Sequence, residues 1–576
     1  MRQHLRKLKL WVVGLLVLPA LSGCAYFEKV LYGAPDYDVV IRNGVLFDGS
    51  GEPGTPGDIA FNGDKIAAIG DLGRTRGKRT INARGQAIAP GFINMLSWGA
   101  DGLIEDGRGL SDLRQGVTLE VFGEGVSYGP WSEATKRGRE ERQSLIKYDI
   151  EWSTLGEFLE YLEARGVSPN VASFVGATTL RAETVGLDNR VASDDEIARM
   201  QAMAREAMEE GAMGLGSSLI YVPANFASTD ELIALASVAA EYDGMYISHL
   251  RSEAEGLMEG LEELITIAET ADLRAEVYHV KASGQRNWEK MDQVIARINE
   301  ARDRGLSITA DMYAYPASST GLDAAMPVWV QEGGIEKWVV RLQDPRLRAR
   351  VAKQMANPSD EFVSGIVNAG GPEGVLLLGF RNPDLRHYIG RTLADVAAER
   401  GVTAEEAAMD LVIEDNSRVQ VAYFSMSEDN LAKKIRQPWV SFGSDGGTFA
   451  PEGVFLERST HPRAYGNFAR VFAKYVRDDN ILTIEEAVRR LTSLPAENLK
   501  LRQRGALRVG YFADVVVFDP ETIQDQASFS DPHQLATGVN HVFVNGTHTI
   551  RNEKHTGELA GRVVRGPGWT GWSREE

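Results

Sequence analysis

The sequence predicts an α/β protein: a (β/α)8 barrel of the TIM type, a small β-sandwich domain built from both chain ends, and an inserted lid segment. Three observations predict it. Eight short apolar runs of strand character alternate with helical stretches through the middle of the chain. Hairpin patterns flank that middle on both sides. One stretch, 321–374, is too long for a single βα connection and carries helical patterns of its own.

The N-terminal β segment reads YDVVIRNG, GDIAFNGDKIAAIG and GQAIAPGF, with Asn43-Gly44 and Asn62-Gly63 as tight-turn pairs. The pattern returns in GYFADVVVFDP and HVFVNGTHTI around Asn545-Gly546. Residues 37–90 and 505–566 are therefore expected to form one composite domain, with the barrel in 91–504. The barrel strands are expected near 92–96, 118–123, 171–176, 214–219, 245–250, 275–280, 307–313 and 440–444. Helices at 194–210, 256–271 and 290–304 separate several of them, the last ended by Gly305. The 321–374 insertion is the candidate lid.

The 576 residues carry 62 basic and 81 acidic side chains, a net charge of −19. That balance argues against nucleic acid as a partner, because a basic face must neutralise phosphates. Hydrophobic content of 43% and charged content of 25% are ordinary globular values and exclude a disordered chain.

Arg2, Arg6, Lys7 and Lys9 precede the apolar run 10–21. At helical rise that run spans about 18 Å, too short for a hydrocarbon core of about 30 Å, so 1–23 reads as a signal peptide. Its end, Leu21-Ser22-Gly23-Cys24, resembles a bacterial lipoprotein signal. The resemblance implies cleavage before Cys24, lipid on that residue, and a tether (24–36) holding the protein to the bacterial cell envelope. Ala25 rather than an aspartate follows, which resembles the class sorted to the outer membrane, here its periplasmic face. Cys24 is the sole cysteine. No intrachain disulfide can form, and any metal site must draw on histidine and carboxylate.

Barrel active sites lie where strand C-termini meet the following loops. Of nine histidines, His249 in MYISHLRSE and His279 in AEVYHVKASG stand at such ends, 30 residues or one βα unit apart. The last strand, in WVSFGSDGG, ends on Asp445. Two imidazoles at one mouth suit a divalent ion such as zinc, and a nearby carboxylate suits proton transfer with water.

The stretches GAMGLGSSLIYVPANFASTDELIALA, YISHLRSEAEGL, HVKASGQRNW, ITADMYAYPASSTGL, RQPWVSFGSDGG, HPRAYGNFARV and RGALRVGYFADVVVFDP together resemble the N-acyl-D-amino-acid deacylase (D-aminoacylase) branch of the amidohydrolase superfamily, from about residue 37 to 566. The resemblance implies a zinc-dependent enzyme that releases a carboxylate and a free D-amino acid from an N-acyl-D-amino acid. It implies His249 and His279 as zinc ligands and Asp445 as general acid/base. Lys281, Tyr313 and Ser319 are implied candidates for holding the substrate carboxylate or the tetrahedral oxyanion.

The sequence also departs from that pattern. The family opens its first barrel strand with a His-x-His metal pair; here PGFINMLSWG puts Leu96 and Trp98 in those places. The cysteine ligand of Gly-Asn-Cys-Gly is missing from VFGEGVSYGP, where a one-residue gap brings Glu124 to the ligand position and its absence would bring Gly125. A third strand-end histidine is replaced by Ala177. Glu124, His249 and His279 are thus the expected ligands of one zinc per chain, with another divalent ion as the alternative, since a carboxylate is a harder ligand than a thiolate. Two other readings stand beside this one: hydrolysis of other amides (D-residue peptides or lipid-acylated amino acids), and a non-catalytic, membrane-tethered binding barrel. Tightly held zinc separates the enzymes from the binding protein.

Overall fold

The computed structural model describes residues 36–359 and 362–572; the signal, Cys24 and most of the tether lie outside the described residues. Eight strands form the barrel: β1 (Phe92–Asn94), β2 (Val117–Phe122), β3 (Asn170–Ser173), β4 (Gly214–Ser218), β5 (Met245–His249), β6 (Arg274–Val277), β7 (Ile308–Met312) and β8 (Val440–Phe442). Neighbours pair in parallel from β1 to β3 and from β4 to β8. Val175–Gly176, just past β3, pairs in parallel with β4 and joins the two runs. The barrel closes between its first and last strands, where Met95 N–H donates to Phe442 O and Asp445 N–H donates to Leu96 O at 2.8 Å.

Ile93, Leu119, Val121, Phe174, Ile247 and Tyr278 fill the interior, while Tyr246, Val277 and the helix residues Leu261 and Leu264 belong to the outer layer. This inner and outer alternation is the period-2 geometry of a strand. Several helices start on side-chain caps; Asp194–Glu209, for example, begins with a capping box of Ser193 and Glu196.

The two chain ends build one sheet of nine strands. Ala87–Pro90 pairs with Val515–Phe518, which ties the N-terminal strands to the C-terminal ones. Three strands separate Thr55–Asn62 from Val539–Val544 in the sheet order, yet Phe61 and Phe543 meet edge to face at 5.3 Å. The sheet therefore wraps over a shared core of Ile41, Ile59, Phe61, Val515 and Phe543 in the manner of a sandwich.

The insertion between β7 and β8 is larger than the 321–374 expected from the sequence. Ser318–Gly321 and Val375–Gly379 pair antiparallel with Gln420–Tyr423, so the unit runs on past residue 374 to Tyr423. It has a core of its own, including Leu322, Trp338, Leu342, Leu377, Leu411 and Val421. Local apolar pattern does not reveal which sheet a strand joins, so the partnership of these two later strands could not be read from the sequence.

Polar groups in the barrel interior carry a pH dependence. Glu276 of β6 is fully buried and accepts from Thr309 Oγ1 at 2.6 Å and Asn498 Nδ2 at 2.9 Å. Burial pushes its carboxyl up to about 7, outweighing those hydrogen bonds. The unfolded chain releases this proton near its ordinary value of about 4.3, whereas the folded chain keeps it to about 7. Between those values the folded state binds more protons, so stability falls as pH rises, by up to about 1.4 kcal/mol per unit from this group. Glu276→Gln is expected to lose less Tm between pH 5 and pH 8 than the parent chain in thermal unfolding followed by circular dichroism. Equal losses would mean that the folded protein holds Glu276 ionised.

Candidate metal centre

Three strand ends deliver the ligand set. Gly123 closes β2 with φ +106, and a Cβ there would lie 2.4 Å from Phe174 O, so only glycine lets the chain turn and present Glu124. His249 is the last residue of β5. His279 lies two residues past β6, where strict alternation after the inward-facing Tyr278 would aim it outward. Its φ of +34 breaks that alternation and turns the imidazole into the mouth. The His279 backbone N–H donates to Asp311 Oδ1 at 2.9 Å, which holds the turn.

Glu124 Oε1 lies 2.9 Å from His249 Nδ1 and 2.8 Å from His279 Nε2. The two rings stand nearly perpendicular, with centroids 4.5 Å apart. All three side chains are buried, and one ligand atom from each falls within 4.8 Å of the others. Two imidazole nitrogens and a carboxylate oxygen aimed at one point are the donor set of a catalytic divalent-ion site with an open fourth position.

Glu253, four residues past His249, stands behind both imidazoles. Its Oε1 is 3.2 Å from His279 Nδ1 and its Oε2 is 3.5 Å from His249 Nε2. Such a carboxylate fixes ring orientation and leaves the opposite nitrogens free to ligate. Burial and the Lys281 ammonium push His279 down, but Glu124 and Glu253 outweigh them and hold it at about 10. Burial likewise pushes Glu124 and Glu253 up, yet the imidazoles, joined at Glu253 by Lys281, hold both well below the usual carboxylate range.

Asp445 also sits at a left-handed residue, φ +49, beyond β8. Its Oδ2 pairs with Arg463 Nη1 at 2.8 Å. Its Oδ1 accepts from the Trp98 indole Nε1–H at 3.1 Å, and the same N–H lies 3.0 Å from Glu124 Oε2. Burial raises the Asp445 carboxyl and Glu124 adds to the rise, while Arg463, His279 and Lys281 pull it back.

The expected substrate residues divide. Tyr313 is buried, its ring lies under the Arg463 guanidinium at 4.5 Å, and its hydroxyl has no partner among the described residues. Lys281 differs from expectation: its Nζ is 2.6 Å from both Glu253 Oε1 and His279 Nδ1, so it serves the ligand cluster rather than an open cleft. Ser319 differs too. Its hydroxyl donates to Val421 O and accepts from Gln420 Nε2, both at 2.9 Å, within the sheet of the insertion. Arg251, in the loop after His249, pairs with Glu263 at 2.8 Å.

A cleft of about 760 Å³ opens between the barrel mouth and the insertion, with Asp101, Tyr148 and Tyr221 on one side and Trp338, Phe380 and Arg418 on the other. Tyr221 connects it to the ligand cluster, since its ring meets His249 edge-on at 5.3 Å.

Residues 165–550 match the Amidohydrolase family. The D-aminoacylase of Alcaligenes xylosoxydans xylosoxydans is 32% identical over 534 residues, covering 92% of this chain and 97% of that protein. The chain belongs to the D-aminoacylase branch of the amidohydrolases. A solved D-aminoacylase whose binuclear metal centre shows one-metal activation and second-metal attenuation superposes with a TM-score of 0.76 at 30% identity, over 92% of this chain and all of that one. The N-acyl-D-glutamate deacylase of Bordetella bronchiseptica, solved with zinc and a phosphonate mimic of the tetrahedral intermediate, superposes with a TM-score of 0.75 at 29% identity, over 92% of this chain and 99% of that one. In this D-aminoacylase relative the residues that could hold a metal ion are two histidines, His249 and His279, with Glu124 beside them.

Nothing in the sequence marked Glu253 out beyond its place in the loop after His249. Its four-residue spacing from His249 was the available signal. Glu253→Gln is expected to weaken zinc binding about 10–100-fold in chelator competition, as loss of an outer-shell partner does. Glu124→Ala should lose more, and Glu124→Cys should retain measurable metal. An alanine variant with full zinc would show that Glu124 is not a ligand.

Proposed function

We propose that this chain is a zinc-dependent amidohydrolase that cleaves N-acyl-D-amino acids into a carboxylate and a free D-amino acid. The observation that carries this reading is the convergence of Glu124, His249 and His279 on one point, with the half-buried carboxylate of Asp445 bridged to Glu124 by a single indole N–H. When bound, zinc supplies Lewis acidity toward the scissile carbonyl and makes a water molecule a stronger acid.

Asp445 then does the proton work. It accepts the proton of the attacking water and returns it to the leaving amine, which must depart protonated. Burial makes its carboxylate more basic than usual, and its two oxygens are already fixed by Arg463 and Trp98. Tyr313, with a buried hydroxyl free to donate, is the residue placed to stabilise oxygen on the substrate. The cleft beneath the insertion has room for an acyl group beside the cluster.

Asp445→Asn is expected to lower kcat by about 10²–10⁴-fold or more while zinc stays bound, because an amide cannot act as the base. Near-normal turnover would remove Asp445 from the reaction, and loss of zinc would make it a ligand. A panel of N-acetyl and longer N-acyl D- and L-amino acids, assayed beside metal content, tests the function itself. One zinc per chain with turnover of the D series is the expected result; no zinc and no turnover would favour a binding protein.

We further propose that Cys24 is the lipidated N-terminus and that the enzyme works at the periplasmic face of the outer membrane. The basic, short apolar leader ending in Leu-Ser-Gly-Cys supports this. Among the described residues no helix is long and apolar enough to cross a membrane. Cys24→Ala should leave the protein uncleaved and without lipid label; normal processing and normal membrane retention would rule the anchor out.

A further inference from the structure

The Trp98 indole occupies an unusual place. Backbone pairing of its loop with the loop past β8 sets it there: Ser97 forms a bridge with Gly446, and Trp98 N–H donates to Gly446 O at 2.8 Å. The ring lies across the mouth, 44% exposed, while its N–H end points inward between two carboxylates. Those carboxylates belong to different functions, since Glu124 is the ligand and Asp445 the base.

The four oxygens involved are all engaged. Glu124 Oε1 faces the two imidazoles, and Glu124 Oε2 accepts from the indole. Asp445 Oδ1 accepts from the same indole, and Asp445 Oδ2 is paired with Arg463. A second cation bridging Glu124 and Asp445 would need an oxygen of each within about 2.0–2.2 Å. The indole nitrogen already stands 3.0 and 3.1 Å from those two oxygens and fills that position. Charge argues the same way. Glu124, Glu253 and Asp445 carry three negative charges against the two positive ones of Lys281 and Arg463, so one divalent ion already takes the cluster from −1 to +1, and a second would take it to +3. Leu96, whose side chain lies in the apolar barrel interior, offers no donor in compensation.

We infer that Trp98 is a positioning residue that restricts this centre to a single ion. One neutral N–H does the bridging that a second cation would otherwise do: it holds Glu124 to one ligating oxygen and keeps Asp445 aligned beside it. The inference rests on Glu124, His249 and His279 being the ligands.

The test counts ions and does not depend on activity. Full-length protein is stripped with chelator and dialysed against excess Co²⁺. Bound cobalt per chain is then measured by elemental analysis, and its coordination is read from the d–d spectrum. The parent chain is expected to stop at one ion. Trp98→His, which replaces the closed donor with a ligand, is expected to take two, and a second d–d signature should appear. Trp98→Phe, which keeps an aromatic side chain but removes the N–H together with the pyrrole ring, is the second variant and should admit a second, weaker ion. Two ions in the parent chain would overturn the inference, as would one ion in both variants. No ion in the parent chain, or one retained in Glu124→Ala, would instead overturn the ligand assignment beneath it.

Discussion

A carboxylate shared between two imidazoles is the constraint on which the mouth of this barrel depends. Glu124 is buried, and a buried anion is costly unless opposite charge or donors surround it. His249 and His279 provide them on one oxygen and Trp98 on the other. The compensation extends outward: Glu253 backs the imidazoles, Lys281 backs Glu253, and Arg463 balances Asp445. Removing any inner member strands a charge in a poorly hydrated space, which is why the backbone tolerates left-handed conformations at His279 and Asp445 to complete the set.

The barrel was legible in the sequence because parallel strands under helices are apolar on both faces and recur at βα spacing. His249, His279 and Asp445 were legible as strand-end polar residues, a position with meaning in this architecture. Glu124 emerged from the same logic once the missing cysteine directed attention to the end of β2. What could not be read was pairing across distance. Trp98 is 26 residues from Glu124 and 347 from Asp445, and only barrel closure brings its N–H to both. The true extent of the insertion was hidden for the same reason, since Val375–Gly379 and Gln420–Tyr423 show their antiparallel partnership only in three dimensions.

Two of the residues that sequence placed in the substrate site, Lys281 and Ser319, share a feature. Lys281 and Ser319 each sit near the mouth, yet stronger local partners claim them: a carboxylate and an imidazole for Lys281, a neighbouring strand for Ser319. Position along the chain gives proximity to a site. Which hydrogen-bonding group is left free is settled by the neighbours, and there the unpartnered hydroxyl of Tyr313 stands apart.

The interlocked ends of the β domain impose an order in time. Ala87–Pro90 finds its antiparallel neighbour in Val515–Phe518, about 430 residues later. At a synthesis rate of roughly 5–20 residues per second the first strands wait about 20–90 s for the last. Until then their sheet edge stays open, and the domain cannot lock while most of the chain is still emerging.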